Sequence, residues 1–218
     1  MTLALFDLDN TLLNGDSDHA WGQFLVDRGI VDGEAFAAAN DGFYQDYLAG
    51  TLDIYKFLEF ALAPLSQHSL AQLQNWHQEF MQEVIAPMRL QKADALIQKH
   101  REQNHRLLII TATNRFVTEP IAHALGITEL LATEPEIVNN RYTGRIEGTP
   151  CFQDGKVIRL NNWLQANNET LENSWFYSDS RNDLPLLELV KNPVAVDPDK
   201  VLAATATERG WPIISLRN

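Results

Sequence analysis

Apolar residues along the chain fall into two kinds of run. Short runs at 3–8, 107–112, 174–177, 193–196 and 213–216 lack clean alternation with polar residues. That is the pattern of strands covered on both faces. Between most of these runs, apolar positions recur at spacings of three and four, most clearly at 91–104, 116–125, 156–167 and 182–190. Such spacing predicts helices. Strand alternating with helix predicts an α/β fold built on a doubly wound parallel sheet with a Rossmann-like core.

Residues 14–88 break the alternation, because they contain no strand-like run. In 69–86, Leu70, Leu73, Trp76, Phe80, Met81, Val84 and Ile85 make one broad apolar helix face. Phe36, Phe43, Tyr44, Tyr47 and Leu48 make a second. The expectation is a helical cap, residues 14–88, inserted into a core of residues 1–13 and 89–218, with Gly15 and Pro87 as hinge positions. At 136–147, Ile137-Val138 and Arg141-Tyr142-Thr143 flank Asn139-Asn140, which predicts a β-hairpin.

Composition narrows the class. Of 218 residues, 45% are hydrophobic and 21% charged, a balance that excludes disorder as the main state. There are 29 acidic and 17 basic residues, a net charge of −12. Such a balance argues against nucleic acid as a partner, since phosphate backbones need clustered Lys and Arg. No apolar run approaches the ~18 residues of a membrane helix, and Asp7 interrupts the first apolar stretch before it could act as a signal peptide. The single cysteine, Cys151, has no partner for an internal disulfide. A cytoplasmic protein without a membrane partner is expected. The charge is uneven: residues 14–88 hold 11 acids and only two bases, Arg28 and Lys56. This reads either as a solvated helical surface or as a lid whose field attracts cations.

Four groups of residues could carry chemistry. The first strand runs into Asp7-Leu8-Asp9-Asn10-Thr11. Side chains two apart on an extended segment point the same way, and strand ends are where open α/β sheets bind ligands. Two carboxylates this close call for a cation or hydrogen bonds. Next, Thr111-Ala112-Thr113-Asn114 ends a buried strand and opens a helix, offering hydroxyls and free N–H groups to an anion. Lys156, after Gly155, opens another helix and opposes its dipole, which suits an ammonium that faces an anion. Finally, Asp179 and Asp183 follow a strand at a spacing of four. Ser180-x-x-Asp183 is also a capping-box pattern, as Thr or Asn at 113–114 is a helix cap. Each group alone is explained as well by local structure.

Their order is not. Asp7-x-Asp9-x-Thr11, Thr111, Lys156 and Asp179-x-x-x-Asp183 fall at successive strand ends, with a helical insert after the first. This set resembles the haloacid-dehalogenase superfamily of phosphohydrolases across the whole chain. Within it, the chain is similar to the phosphoserine-phosphatase-like branch. Thr111-Ala112-Thr113-Asn114-Arg115-Phe116-Val117-Thr118 and Thr149-Pro150-Cys151-Phe152 resemble a subgroup with histidinol-phosphate phosphatases among its members. The resemblance implies a Mg2+-dependent phosphomonoesterase. Asp7 is its nucleophile, forming an aspartyl-phosphate, and Asp9 its general acid and base. Thr111, Ala112 and Lys156 hold the phosphate. Asp7, the Asp9 carbonyl and Asp179 hold the metal, while Thr11 and Asp183 support them. Ser178 stands where the family often has Gly.

For the substrate, phosphoserine needs a cation for its carboxylate, and this cap offers only Arg28 and Lys56. An amine-bearing ester without a carboxylate, histidinol phosphate first, suits the acidic cap better. Asp16, nine residues after Asp7, is the first candidate for the amine, with Asp18 near it; His19 and Arg115 are further candidates for substrate contact, each read as readily as a packed or surface histidine and as a surface helix arginine. His68, His77 and Cys151 read as structural. A phosphoserine phosphatase or a broad small-metabolite phosphatase is the alternative. A phosphotransferase of the same fold and a receiver-type phospho-acceptor stay open.

Overall fold

The computed structural model describes residues 1–217. Among them, β1 (Leu3–Phe6) leads to α1 (Ser17–Asp27), α2 (Gly33–Ala49), α3 (Ile54–Gln67) and α4 (Leu70–Phe80). A π-helical turn, Met81–Ile85, joins α4 to the short α5 (Ala86–Met88). The chain continues as α6 (Gln91–Glu102), β2 (Arg106–Asn114), α7 (Arg115–Ala124), β3 (Leu130–Val138), β4 (Arg141–Glu147) and α8 (Asp154–Asn167). It ends with β5 (Trp175–Ser178), α9 (Leu184–Leu187), β6 (Asn192–Val196), α10 (Lys200–Arg209) and β7 (Ile213–Ile214).

The strands form one seven-stranded sheet in the order β4-β3-β2-β1-β5-β6-β7. All pairings are parallel except β3–β4. The fold is the expected α/β class, with β1 in the middle and crossovers running outward on both sides. Phe6 pairs with Ile109 on one side and Tyr177 on the other, so the chain leaving β1 lies between the ends of β2 and β5. Both faces of β1 are buried, one set of residues in each of the two large apolar clusters. This is why the run at 3–8 shows no alternation.

Several elements differ from expectation. Leu130–Ala132 is a buried parallel strand segment beside β2, and the chain then bends at an irregularity near Pro135 into the hairpin with β4. Its apolar run is too short to stand out between Glu129 and Thr133. The Asn139-Asn140 turn is as expected, with φ of 50° and 60°, the left-handed pair of a two-residue hairpin turn. The helix expected at 182–190 is a 3-10 turn, Arg181–Asp183, followed by the four-residue α9. Pro185 lacks the N–H that a continuous helix needs. Helix α10 gave no periodic signal because it buries only Leu202 and Ala206.

Residues 14–88 are helical throughout apart from short connections. The chain enters and leaves this stretch side by side. Leu13 and Arg89 form an antiparallel bridge, and the Asn14 N–H donates to the Met88 carbonyl at 2.8 Å. Trp21, Phe24 and Phe80 join the cluster that covers Phe6 and Leu8. In contrast, Leu58, Leu62, Leu65 and Leu73 form a cluster of their own, closed from outside by Tyr142 and Ile146 of the hairpin. No helix is long and apolar enough to cross a membrane among the described residues.

Candidate active site

Asp7 follows the last residue of β1, and its N–H donates to the Tyr177 carbonyl at 2.9 Å. Backbone pairing thus holds it in line with β5. Its Oδ1 accepts from Lys156 Nζ at 2.7 Å, whereas its Oδ2 is buried with no partner among the described residues. Lys156 Nζ also lies 2.8 and 2.9 Å from the two oxygens of Asp183. All three side chains are almost wholly buried. Burial opposes the charge on Lys156, but Asp183 and Asp7 outweigh it and hold the ammonium above its ordinary range. Burial lifts Asp7 to about 7 against the pull of Lys156. Lys156 reaches this place because α8 starts close behind it. Gly155 packs onto the Pro150 carbonyl, and a Cβ there would collide with that oxygen.

Asp9 is held at both oxygens. Oδ1 accepts from the Ser17 N–H at 2.6 Å, and Oδ2 from the Thr113 hydroxyl at 2.8 Å. Burial, then the charge of Asp16, raises it to about 6. Thr11 donates its hydroxyl to Asp179 Oδ1 at 3.2 Å and accepts the Asp179 N–H at 3.0 Å, tying the first motif to the last. Asp179 is raised well above the carboxylate range by burial and by Asp7 and Asp183. The Ser178 hydroxyl donates to Asp183 Oδ2 at 2.7 Å and accepts the Ser180 N–H at 3.1 Å. Ser178 thus helps aim Asp183 at Lys156, a task a glycine could not perform. Ser180 caps the 3-10 turn through the Asn182 N–H, but the Asp183 carboxylate turns to Lys156 instead of completing a capping box.

The Thr111 segment departs from expectation. Strand β2 does not end there but continues to Asn114, and α7 begins at Arg115. The Thr111 hydroxyl accepts the Thr113 N–H at 3.2 Å and sits 3.5 Å from Asp9 Oδ2. Thr111, Ala112 and Thr113 still line the same cavity as Asp7 and Asp9.

That cavity is closed on its outer side by Asp16, Asp18 and His19 of the α1 segment, Asn40, Phe43, Tyr44 and Tyr47 of α2, and Leu52, Ile54 and Phe57. Asp16 caps α1, accepting the His19 N–H at 2.8 Å, and burial raises its pKa. His19 pairs with Asp41 at 2.7 Å and stacks on Tyr44 at 4.7 Å. Arg115 is elsewhere, in a wider groove without any motif residue. It clamps Glu134 through Nε and an Nη at 2.7 and 2.8 Å and reaches the Leu130 carbonyl. Its expected contact with substrate is corrected to a structural role, since its fork is occupied by a carboxylate beside β3. The two bases of residues 14–88 are also paired elsewhere. Arg28 pairs with Glu79 and Glu83, and Lys56 with Asp53.

The His77 Nε2–H donates to the Val117 carbonyl at 2.9 Å, and His68 packs edge-on against Trp76, both in structural contacts. Burial pushes the Cys151 thiol up to about 12, so it is inert. Tyr44, Tyr47 and Asn40 were not expected at the site. Tyr44 and Tyr47 formed part of an apolar face in the sequence, and their hydroxyls were the only hint that this face meets a polar cavity.

Asp7, Asp9, Asp18 and Asp183 are buried in this region, where one ammonium, Lys156, pairs with Asp7 and Asp183. The surplus of buried negative charge and the orphaned Asp7 Oδ2 fit a hard cation bound by oxygen. No cluster of three or more metal-binding side chains occurs among the described residues. A two-carboxylate site completed by a carbonyl, water and phosphate is the usual manner of Mg2+.

The parallel sheet, the inserted helices and the carboxylate–lysine centre define a phosphotransfer hydrolase, and the sequence comparison agrees. Residues 4–188 match the model of the haloacid dehalogenase-like hydrolase family, and the chain belongs to that family. Within it, the chain is a phosphoric monoester hydrolase. It is 48% identical over 219 residues to a histidinol-phosphatase of Neisseria meningitidis serogroup C, covering 99% of each chain. A solved structure from Bordetella pertussis Tohama I, of unknown function, superposes with a TM-score of 0.93 at 45% identity, covering 99% of this chain and 100% of that one. A phospho-aspartyl intermediate analogue of phosphoserine phosphatase shares the fold, with a TM-score of 0.71 at 16% identity, over 100% of this chain and 94% of that one.

Proposed function

We propose that this protein hydrolyses histidinol phosphate through an aspartyl-phosphate on Asp7, with residues 14–88 acting as a cap over the core. The observation that carries the substrate is the cap wall of the cavity. It is built from carboxylates, amide and aromatic groups, while both cap cations are engaged on the outside. Such a wall attracts an ammonium and brings no cation to a substrate carboxylate. The similarity to the meningococcal histidinol-phosphatase supports the same reading.

Asp7 attacks phosphorus through one oxygen of its carboxylate, which Lys156 holds in place. A carboxylate needs no base to act as a nucleophile. Lys156, held by Asp183, neutralises one oxygen of Asp7 and faces the incoming phosphate. Asp9, fixed by Ser17 and Thr113, protonates the leaving alkoxide and then takes a proton from the hydrolytic water. Such help contributes roughly a hundred- to ten-thousand-fold. Thr111 and Ala112 border the phosphate's position. Mg2+ held by Asp7, Asp179 and the Asp9 carbonyl would supply Lewis-acid charge to the phosphoryl oxygens. Residues 14–88, as a cap, would close over the ester and exclude water from the aspartyl-phosphate.

The test is phosphate release from histidinol phosphate and phosphoserine, each with Mg2+ and with EDTA. The expected result is a kcat/KM at least about tenfold higher for histidinol phosphate, the worth of one charge-assisted contact, and none in EDTA. A preference for phosphoserine refutes the reading of the cap.

A further inference from the structure

Next to the catalytic cavity, between α1, α2 and α3, lies a second and smaller pocket. It shares Asp18, Asn40 and Phe57 with the first, so the two meet across these side chains. Its remaining lining is apolar and aromatic, with Trp21, Phe36 and Phe60 prominent.

One buried donor at this junction, the Trp21 indole N–H, lacks a partner, and two side chains with acceptor oxygens, Asp18 and Asn40, line the same pocket. Trp21 is only 3% exposed, and its indole N–H has no hydrogen-bond partner among the described residues. Asp18 is 9% exposed, and its carboxylate meets burial and two neighbouring carboxylates but no hydrogen-bond donor. Asn40 uses its amide N–H on the His19 carbonyl at 2.9 Å, which leaves its Oδ1 as an acceptor. Gly22 makes room for that amide, since any Cβ there would overlap Asn40. A buried donor without a partner carries a desolvation cost that an acceptor on a ligand would offset. Asp16, by contrast, is engaged as the cap of α1.

We infer that this side pocket receives the heterocyclic ring of the substrate, with Trp21 donating to one ring nitrogen and Asp18 or Asn40 accepting from the other. The inference rests on the proposed histidinol phosphate activity and names the residues that would select its ring. A neutral imidazole presents one N–H and one bare nitrogen, which match the acceptors and the donor that line this aromatic pocket. The ring walls can yield to it, because Phe36, Phe57 and Phe60 are half-buried, not locked in the core. The phosphate end is fixed at Asp7 and Lys156 and the amine near Asp16, so the ring is the part of the ester left to occupy the space beyond Asp18.

The test compares histidinol phosphate with ethanolamine phosphate, which keeps the phosphate and amine but has no ring. The measured quantity is the ratio of their kcat/KM values in the wild type, Trp21→Phe and Asp18→Asn. The ratio should fall about tenfold in each variant, the worth of one hydrogen bond to a buried group. A variant that is merely damaged loses both activities and keeps the ratio. Independently, the Trp21 indole N–H resonance of the wild type should shift on adding histidinol and stay in place on adding serinol. A wild-type ratio near one refutes the histidinol phosphate reading itself. A high wild-type ratio that neither variant lowers, with a Trp21 resonance unmoved by histidinol, refutes the side pocket alone.

Discussion

Replacing Lys156 by Met should unfold the protein more readily at neutral pH than in acid. In the native chain Lys156 lies 2.7 Å from Asp7 and 2.8 Å from Asp183, and the three side chains are no more than 6% exposed. Methionine fills a similar volume, so the loss is one of charge. Removing one member of a buried ionic cluster costs about 3–5 kcal/mol, because the remaining charges stay buried and unpaired. For a chain of this size that is a fall in Tm of roughly 6–20 °C. The pH dependence has a definite sign. Burial already holds Asp7 at about 7, above its ordinary carboxylate value, with Lys156 present. Without Lys156 nothing opposes burial, and Asp7 moves further up. A carboxylate raised in the folded state binds its proton more tightly there than in the unfolded chain. Stability is therefore intact below about pH 4 and lost as pH rises through the folded value. Thermal melts of wild type and K156M at several pH values, in EDTA, read this directly. The gap in Tm should be small near pH 4.5 and widen toward pH 8, within the window set by burial. Adding Asp183→Asn to K156M should recover part of the gap but no activity. A gap that is constant with pH would refute the reasoning, since it would show that packing, not charge, is what Lys156 contributes.

Other outcomes follow from the same geometry. Asp16→Asn should lower kcat/KM for histidinol phosphate about 10- to 100-fold. It should also move the alkaline limb of the pH profile to lower pH, because the charge of Asp16 helps raise Asp9 to about 6 and Asp9 must be protonated to act as an acid. Thr113→Val removes a 2.8 Å donor to Asp9 and should lower kcat about tenfold with little change in KM. Arg115→Ala should leave kcat/KM within about threefold of wild type while lowering Tm, since the residue braces Glu134 and the Leu130 carbonyl away from the cavity. An effect on KM as large as that of Asp16→Asn would return Arg115 to the site.

The chemistry was more legible in the sequence than the walls around it. Asp7, Asp9, Lys156, Asp179 and Asp183 were readable because each sits at the end of a buried strand or the start of a helix, where apolar runs stop abruptly. The closing contacts were not. Strand β3 begins with only three apolar residues before Thr133, and the bend near Pro135 hides its passage into the hairpin. Tyr44 and Tyr47 read as an ordinary helix face because hydrophobic spacing reports burial and not what the residue is buried against. Ser178 departed from the family's usual glycine, and only the 2.7 Å contact with Asp183 gives it a purpose. Arg115 lay beside Thr111–Asn114 in sequence, yet a strand continuing to Asn114 placed it against Glu134.

The central claim is covalent chemistry at Asp7 on histidinol phosphate. It is tested most directly by a single turnover with that ester, quenched in acid within milliseconds and followed by peptide mass analysis. The account predicts one acid-trapped phosphoryl group on the peptide bearing Asp7, formed and lost at rates consistent with turnover and absent from Asp7→Asn. Steady phosphate release with no phosphorylated peptide at any time, or with activity retained in Asp7→Asn, would contradict it.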